Sequence, residues 1–389
     1  MIDQLADRHP AQGSYDPLDL HLDRLRVPGA RADSVSTPAR RERQAWSSGL
    51  QIPVLLIAGI ALGRHGLAIL NESTLSLIDP VIPVALAALG VLAAFEAAAT
   101  PWVRGRLIAA VSIQALTAAA VVAAGTLAFV LLTGDVAYAS PSILAIALGV
   151  CASSSSALAT GDAAARSSVT RLVDLDALVA IVAGGLVIVA MREQNLLPAL
   201  SITAQIVGIA VTVAITGWLL LTRTVSDTEQ RVFGAATLLL LGGVADYLSL
   251  SALVAGVAAG AFWHAVGGAP GESLRRDLAH VQHPLVALVL LAGGARTEFT
   301  PGIVALAVAY VLLRGVGKLA GSLAAGLVDP ALSRGVAPRL LSPGILAVAF
   351  ALNALRAGGP DMTAVLSVAV LGTIGSQLLA GVRPPEDGV

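Results

Sequence analysis

The chain has 389 residues, of which 56% are hydrophobic and 13% are charged, and its formal net charge is −1. A soluble globular domain carries about 25% charged residues, so this composition excludes an ordinary soluble protein. The net charge gives no indication of a nucleic-acid partner. Repeated apolar runs of about 18 or more residues, separated by short polar loops, predict an all-α polytopic membrane protein in a lipid bilayer.

Residues 1–48 differ from the rest of the chain, because they are rich in Asp, Arg, Pro and Ser and lack helical apolar periodicity apart from a short stretch near residues 18–25. This composition predicts a disordered or loosely structured cytoplasmic tail. A regulatory or partner-binding segment is the alternative. Since the chain begins with polar residues, we expect no cleavable signal peptide.

The membrane domain is predicted over residues 49–382 and is followed by a short C-terminal tail, residues 383–389. Hydropathy predicts about twelve spans in this domain. They cover residues 50–69, 80–99, 105–133, 140–158, 168–191, 199–222, 230–248, 250–267, 280–295, 302–328, 340–357 and 361–381. An even number of spans places both termini on the same side of the membrane.

The distribution of arginines gives the orientation. With the N-terminus in the cytoplasm, eleven arginines after the tail lie inside: Arg104, Arg106, Arg166, Arg171, Arg223, Arg231, Arg275, Arg276, Arg334, Arg339 and Arg383. Four lie outside: Arg64, Arg192, Arg296 and Arg356. Because cytoplasmic loops carry an excess of basic residues, we expect a multi-pass protein of the plasma (inner) membrane with both termini in the cytoplasm.

The fourth predicted span contains four consecutive serines, residues 153–156. Their hydroxyls, together with the carbonyls of an unwound backbone, would offer oxygen ligands in the middle of the membrane. Ser153, Ser154 and Ser155 are therefore candidate ion-binding residues. In the alternative interpretation, the hydroxyls donate to carbonyls within a continuous helix.

Few carboxylates lie within the spans. Asp176 is the deepest, about two turns into the fifth span, and a carboxylate at membrane depth indicates a functional site. Asp174 lies two positions earlier and projects from a different face of the helix. Glu96 and Asp246 lie near the ends of the second and seventh spans, where an interfacial structural role is the alternative. We take Asp176 as the ion or proton site and Asp174 and Glu96 as secondary candidates.

Lys318 is the only lysine among the 24 lysines and arginines, and it lies well inside the tenth span. A charge near the bilayer centre costs about 3 kcal/mol on insertion scales. Because a buried lysine can lose its proton more readily than arginine, Lys318 is the preferred counter-charge for Asp176. Arg314, one turn earlier on the same face, either replaces Lys318 in that role or binds backbone carbonyls. Gly317 and Gly321 predict close packing of this helix against a neighbour.

The eleventh span carries Ser342–Pro343–Gly344 near its start, a combination that breaks helical hydrogen bonding. The fourth and eleventh spans are seven apart, the interval expected for equivalent helices of two five-helix repeats. Paired interruptions indicate a transporter binding site. We therefore expect inverted repeats whose broken fourth and eleventh helices cross at mid-membrane. A simple helix N-terminus at Ser342–Pro343–Gly344 is the alternative.

The segment from Arg171 to Val182 resembles the acidic mid-helix motif of the monovalent cation/proton antiporters, the sodium/proton exchanger superfamily that includes the Kef-type proteins. Other stretches resemble the same family in the same order. They are residues 61–67, 229–263, 284–299, 317–321 and 342–344. The resemblance covers about residues 50–382, the whole predicted membrane domain.

The resemblance implies a role for each candidate residue. The family's essential aspartate falls on Asp176, its tenth-helix basic residue on Lys318, and its unwound fourth-helix motif on the serines 153–155. Its eleventh-helix break falls on the segment 342–344. Leu175 stands where family members usually have Asp or Asn, which favours one proton per cation and leaves the stoichiometry open.

The resemblance also implies the transport activity and the assembly. The expected activity is exchange of Na⁺ or K⁺ for protons by alternating access. The expected assembly is a homodimer, with a scaffold domain and a mobile core formed by the third to fifth and tenth to twelfth spans.

Two other functions are compatible with these features. One is a carrier or channel of the same fold for another solute, which would leave Asp176 dispensable. The other is a non-transporting membrane sensor or scaffold in which residues 1–48 form the interaction element. We predict no enzyme activity, no cofactor and no metal beyond the transported cation, because the six histidines lack metal-ligand spacing. The single cysteine, Cys151, excludes an intramolecular disulfide.

Overall fold

The architecture is given by a computed structural model of the chain. The structure describes residues 51–98, 105–133, 140–155, 163–192, 196–224, 226–248, 250–329 and 344–381. The predicted tails, residues 1–48 and 383–389, lie outside the described residues, as do Ser342 and Pro343. The described part of the chain is helical and contains no strand.

Thirteen α-helices lie within the described ranges. They are α1 (Gln51–Leu62), α2 (Glu72–Ile78), α3 (Val81–Ala98), α4 (Gly105–Thr133), α5 (Pro141–Ser153), α6 (Ala163–Arg192), α7 (Leu196–Leu221), α8 (Asp227–Tyr247), α9 (Ala252–Val266), α10 (Ala269–Ala295), α11 (Pro301–Val328), α12 (Ile345–Gly358) and α13 (Thr363–Gly381). A 3₁₀ turn, Gly359–Met362, joins α12 to α13.

A helix lies at the position of each predicted span, and the short helix α2 is additional. Six described segments are long and apolar enough to cross a membrane. These are Val81–Ala98, Gly105–Thr133, Leu200–Leu221, Gly271–Ala295, Pro301–Val328 and Ile345–Leu379. The protein is therefore a multi-pass helical membrane protein, while the number of crossings and the inverted repeat stay predictions.

The largest difference in a helix start is at α10, and one short helix, α2, was not predicted. Helix α10 begins at Ala269 rather than near residue 280, because its first turns carry Glu272, Arg275 and Asp277, which hydropathy does not count as part of a span. Helix α2 was not predicted because it is short. The Asn71 side chain accepts a hydrogen bond from the Thr74 amide at 2.9 Å and so caps its first turn.

Helices α5 and α12 are short. Of the helices that lie at predicted spans, only α1 is shorter. They contain 13 and 14 residues, which corresponds to about 20 Å of helix. The hydrocarbon core of a bilayer is about 30 Å thick, so neither helix alone can cross it. These are the fourth and eleventh predicted spans, the two for which the sequence predicted a break.

The helices pack in two groups. Helices α4, α5, α6, α11, α12 and α13 contact one another and form what we call the site bundle. Helices α3, α7, α8, α9 and α10 form the second bundle, in which α3 packs most extensively against α9. Helix α1 joins this second bundle through the contact of Gly59 with α10. Helices α6 and α12 of the site bundle make the main contacts between the two groups.

Close backbone approach holds the site bundle together. Helix α11 packs along α4, and a Cβ atom added to Gly321 would lie 2.6 Å from the carbonyl oxygen of Gln114. Gly317 faces Ala118 in the same way, one turn earlier. The predicted glycine-mediated packing of this helix is therefore present, and α4 is the neighbour.

Candidate ion-binding site

Asp176 lies near the middle of α6, and none of its surface is exposed. Its Oδ2 atom accepts a hydrogen bond from the Ser155 hydroxyl at 2.7 Å and lies 3.0 Å from Nζ of Lys318. Three elements therefore meet at one carboxylate oxygen: α6, the end of α5, and α11. A buried carboxylate is tolerated only with such partners, since an uncompensated buried charge is very costly.

The second carboxylate oxygen of Asp176 is different. Oδ1 is buried and has no hydrogen-bond partner among the described residues. Because buried polar atoms are nearly always paired, an acceptor without a partner is a notable feature of this site. Oδ1 has the chemistry to accept a proton or to coordinate a hard cation.

Lys318 is buried to the same degree as Asp176. Its ammonium group donates to Oδ2 of Asp176 and also to the backbone carbonyl of Ser153. The lysine therefore balances the charge of the aspartate and binds the end of α5. The sequence-based preference for Lys318 over Arg314 as the partner of Asp176 agrees with this geometry.

Arg314 lies one turn before Lys318 on α11 and is also buried. Its guanidinium donates to the carbonyl oxygen of Ala152 at 2.7 Å and to that of Ser154 at 2.6 Å. A longer hydrogen bond of 3.4 Å reaches the carbonyl of Cys151. The second of the two roles considered for Arg314, binding of backbone carbonyls, is therefore the one seen in the described contacts.

The end of α5 explains why two cations gather there. The last carbonyls of a helix have no partner inside it, and the helix dipole places partial negative charge at this end. Ser154 has φ −68° and ψ 142°, so the chain leaves the helix at this residue. Arg314 and Lys318 supply the hydrogen bonds and the positive charge that these buried carbonyls lack within the helix.

The three described serines of the predicted motif have different partners. The Ser153 hydroxyl donates to the carbonyl of Val150 at 2.7 Å, and the Ser154 hydroxyl donates to that of Cys151 at 3.2 Å. These are bonds within α5, as the alternative interpretation proposed. Only the Ser155 hydroxyl is directed to Asp176.

The start of α12 meets the end of α5. Gly344 is the N-cap residue of α12, with an extended backbone, and a Cβ atom on it would lie 2.9 Å from the carbonyl oxygen of Ser155. Helix α12 also packs against α6. The amide-bearing N-terminus of α12 and the carbonyl-bearing end of α5 therefore lie together beside Asp176.

The secondary candidates lie elsewhere. Glu96 is exposed near the end of α3, in the second bundle. Asp174 lies on α6, two positions before Asp176, and its side chain is outside the described residues. Asp246 ends α8 and pairs with Arg356 of α12, with Nη2 to Oδ1 at 2.7 Å.

The sequence did not predict the contact between Asp246 and Arg356, nor that of Asn353 with Ser251, where the amide donates to the hydroxyl at 2.9 Å. These pairs are more than 100 residues apart, so spacing could not indicate them. The sequence indicated only that these polar residues lie close to the ends of predicted spans, and not which of them contact each other. Among the described residues, no group of three or more His, Cys, Asp or Glu side chains could hold a metal ion.

No family model and no curated protein matches the chain. Among solved structures, the chain is similar to the sodium proton antiporter MjNhaP1 from Methanocaldococcus jannaschii. The two share 14% sequence identity and superpose with a TM-score of 0.56, over 85% of this chain and 88% of that one. The chain therefore has the fold of a sodium/proton antiporter.

Proposed function

We propose that the protein exchanges a monovalent cation, Na⁺ or K⁺, for protons across the membrane by alternating access. The observation that carries this proposal is the buried ion pair of Asp176 and Lys318, with one carboxylate oxygen of Asp176 unpartnered among the described residues. The pair lies inside a sodium/proton antiporter fold. Ionisable residues at membrane depth are costly and usually mark an ion or proton pathway.

Exchange follows from competition for one carboxylate. A proton, a monovalent cation or the Lys318 ammonium can each neutralise Asp176, and leaving it bare in a low-dielectric site is unfavourable. A cation and a proton therefore cannot occupy Asp176 together, and binding of either one favours release of the other. Strict exchange also requires that access changes only while a cation or a proton is bound, and not while Lys318 alone neutralises Asp176. Coupling of the two ions then needs no separate site that recognises both at once.

The ligands of the cation would be oxygens, as hard cations require. The Asp176 carboxylate and the Ser155 hydroxyl are already adjacent, at 2.7 Å. The hydroxyls of Ser153 and Ser154 bond within α5, and their carbonyls accept hydrogen bonds from Lys318 and Arg314, so a cation that used these carbonyls would have to share them with the two basic side chains. Arg314 keeps the end of α5 in place by binding the carbonyls of Ala152 and Ser154.

The stoichiometry depends on Lys318. With Leu175 uncharged, Asp176 alone gives one proton per cation and electroneutral exchange. Release of a proton from Lys318 in each cycle would add a second proton and make exchange electrogenic, worth about 2.3 kcal/mol per charge at 100 mV. Lys318→Arg keeps the positive charge and does not release it, so a current lost in this variant would assign the second proton to Lys318.

The alternating movement would take place between the two bundles. The site bundle contains Asp176, Lys318 and Arg314, and it corresponds to the mobile core expected from the resemblance. The second bundle would be the scaffold, and a homodimer through the scaffold stays an expectation.

The test is proton flux in inside-out vesicles that contain the full chain. Addition of Na⁺, K⁺ or Li⁺ to acidified vesicles is expected to raise the internal pH with at least one of these ions. Asp176→Asn is expected to abolish this flux. Asp277→Asn is the matched control, because Asp277 pairs with Arg231 at 3.5 Å near the surface, and it is expected to keep the flux. Wild-type protein without any cation-dependent flux, or Asp176→Asn with normal flux, would overturn the proposal.

A further inference from the structure

Four charged side chains meet where the two bundles touch, far from Asp176. They are Asp79, Asp246, Arg296 and Arg356, and we call them the four-residue charge cluster. Nε and Nη2 of Arg356 both donate to Oδ1 of Asp246, at 3.1 Å and 2.7 Å. Nη1 of Arg356 lies 3.3 Å from Oδ1 of Asp79, and Arg296 binds the same atom.

The cluster crosses the boundary between the bundles at a single residue. Arg356 belongs to α12 of the site bundle, whereas Asp246 ends α8, Asp79 caps α2 and Arg296 caps α10. The contact of Arg356 with Asp246 therefore joins the site bundle to the second bundle, and its contact with Asp79 joins the site bundle to the segment just before α3. Two carboxylates and two guanidiniums cancel in charge, so the cluster has no net attraction for a cation and is better suited to hold helices together.

Two further layers of contacts lie below the cluster, towards the start of α12. Asn353 of α12 donates to the hydroxyl of Ser251, the N-cap residue of α9. Deeper still, Val254 of α9 packs on Gly185 of α6 and so joins the two bundles, whereas Phe350 of α12 packs on the adjacent Gly184 within the site bundle. The side chains of Val254, Phe350 and Asn353 are buried. A small cavity lies between the cluster and these layers and is lined in part by Asp246, Asn353 and Arg356.

Helix α12 links this region directly to the ion site. Its N-cap residue, Gly344, lies beside Ser155, and Arg356 lies twelve residues after Gly344, about 18 Å along the helix axis. The helix ends at Gly358 and is capped by Gly359, whose φ of 70° favours glycine. One short rigid helix therefore has the ion site at its first residue and the charge cluster in its last turn.

We infer that the four-residue charge cluster, together with Asn353, Phe350 and Val254 beneath it, is a gate that closes the outer access route to Asp176. This inference rests on the proposed exchange function. The predicted orientation places Arg356 among the four outside arginines, and with that orientation the closed face is the outer one. Opening requires Arg356 to leave Asp246 and Asp79 as the site bundle moves away from α8 and α9.

A thiol reporter tests the gate without measuring transport. Cys151→Ala removes the only cysteine, and Val254→Cys then places a reporter at the buried contact with Gly185. Right-side-out vesicles with the full-length protein are treated with a membrane-impermeant methanethiosulfonate. Arg356→Gln and Asp246→Asn are each expected to raise the labelling rate from the outside by about fivefold, the effect of losing about 1 kcal/mol of a partly exposed ion pair.

The matched control is Arg231→Gln. It removes the ion pair of Arg231 with Asp277, which joins α8 to α10 within the second bundle, so labelling is expected to stay at the starting rate. Unchanged labelling in both Arg356→Gln and Asp246→Asn would overturn the gate, as would an equal rise in the control. Because Arg356→Gln and Asp246→Asn each remove one member of the same ion pair, the test can still be made if one of the two variants fails to fold.

A cross-link supplies the second measurement. Asp246→Cys and Arg356→Cys in the Cys151→Ala background are joined by a reducible bifunctional methanethiosulfonate. Exchange is expected to stop on cross-linking and to return on reduction; exchange at full rate in cross-linked protein would overturn the gate. If labelling responds as expected in a protein without cation-dependent proton flux, the proposed function fails and the gate stands.

Discussion

The Nζ atom of Lys318 lies 3.0 Å from Oδ2 of Asp176, and both side chains are fully buried although 142 positions separate them. Removing one member of such a pair leaves a buried charge without a partner, which costs about 3–5 kcal/mol. Replacing both members by neutral groups of similar size avoids that cost. The pair is therefore a strongly coupled unit, and its coupling can be measured.

We expect Lys318→Met and Asp176→Asn each to lower the stability of the protein by about 3–5 kcal/mol, and the double variant to be more stable than either. Thermal unfolding of the detergent-solubilised protein measures this cycle. Additive losses in the double variant would show that the two charges do not stabilise each other in the folded protein.

Ser155 and Ser154 form a natural pair for a second prediction, since their hydroxyls differ in partner. Ser155→Ala removes a hydroxyl from the Asp176 carboxylate, and a hydrogen bond to a charged group contributes about 1.5–3 kcal/mol. We expect Ser155→Ala to raise the apparent KM for the cation about tenfold or more. Ser154→Ala removes a bond inside α5 and is expected to change KM much less. Equal effects of the two substitutions would contradict the assigned ligand role of Ser155.

The contact of α11 with α4 allows a prediction about packing. Gly321→Ala would place a methyl group 2.6 Å from the backbone carbonyl of Gln114, and such overpacking costs about 1–3 kcal/mol. Gly243→Ala is the control, because no neighbouring atom lies within 4 Å of a Cβ atom there. We expect a lower unfolding temperature for Gly321→Ala and an unchanged or slightly higher one for Gly243→Ala.

Competition between a proton and a cation for Asp176 predicts a pH dependence with a definite sign. Lowering the pH on the side from which the cation binds supplies more protons to the same carboxylate. The apparent KM for the cation should therefore rise, by up to about tenfold per pH unit, while the maximal rate at saturating cation changes less. The measurement is KM as a function of pH in vesicles. A KM independent of pH would indicate separate sites for the two ions.

Much of the fold could be predicted from the sequence, because a membrane span needs a long apolar segment and the loops between spans are polar. The pairing of Asp176 with Lys318 could also be predicted, since few other charged residues lie at membrane depth and could pair with either of them. The first residues of the helices were harder to predict from the sequence. The polar first turns of α10, around Arg275 and Asp277, carry no hydropathy signal.

The detailed site depends on geometry that residue spacing does not determine. Ser153, Ser154 and Ser155 are chemically identical, and only the departure of the backbone from the helix at Ser154 directs the last hydroxyl to Asp176. Arg314 was considered for two roles, and the choice depends on where α5 ends relative to α11. Arg356 and Asp246 are 110 residues apart, and no local pattern connects them.

The binding of the end of α5 by Arg314 and Lys318 has a consequence for the direction of transport. Separation of α5 from α11 would leave four buried carbonyls, those of residues 151–154, without these donors. In the proposed exchange, these helices would therefore stay together while access changes, and the ion would meet the same ligands from either side of the membrane. The proposed exchanger would then run in either direction, as set by the gradients of the two ions and, if exchange is electrogenic, by the membrane potential.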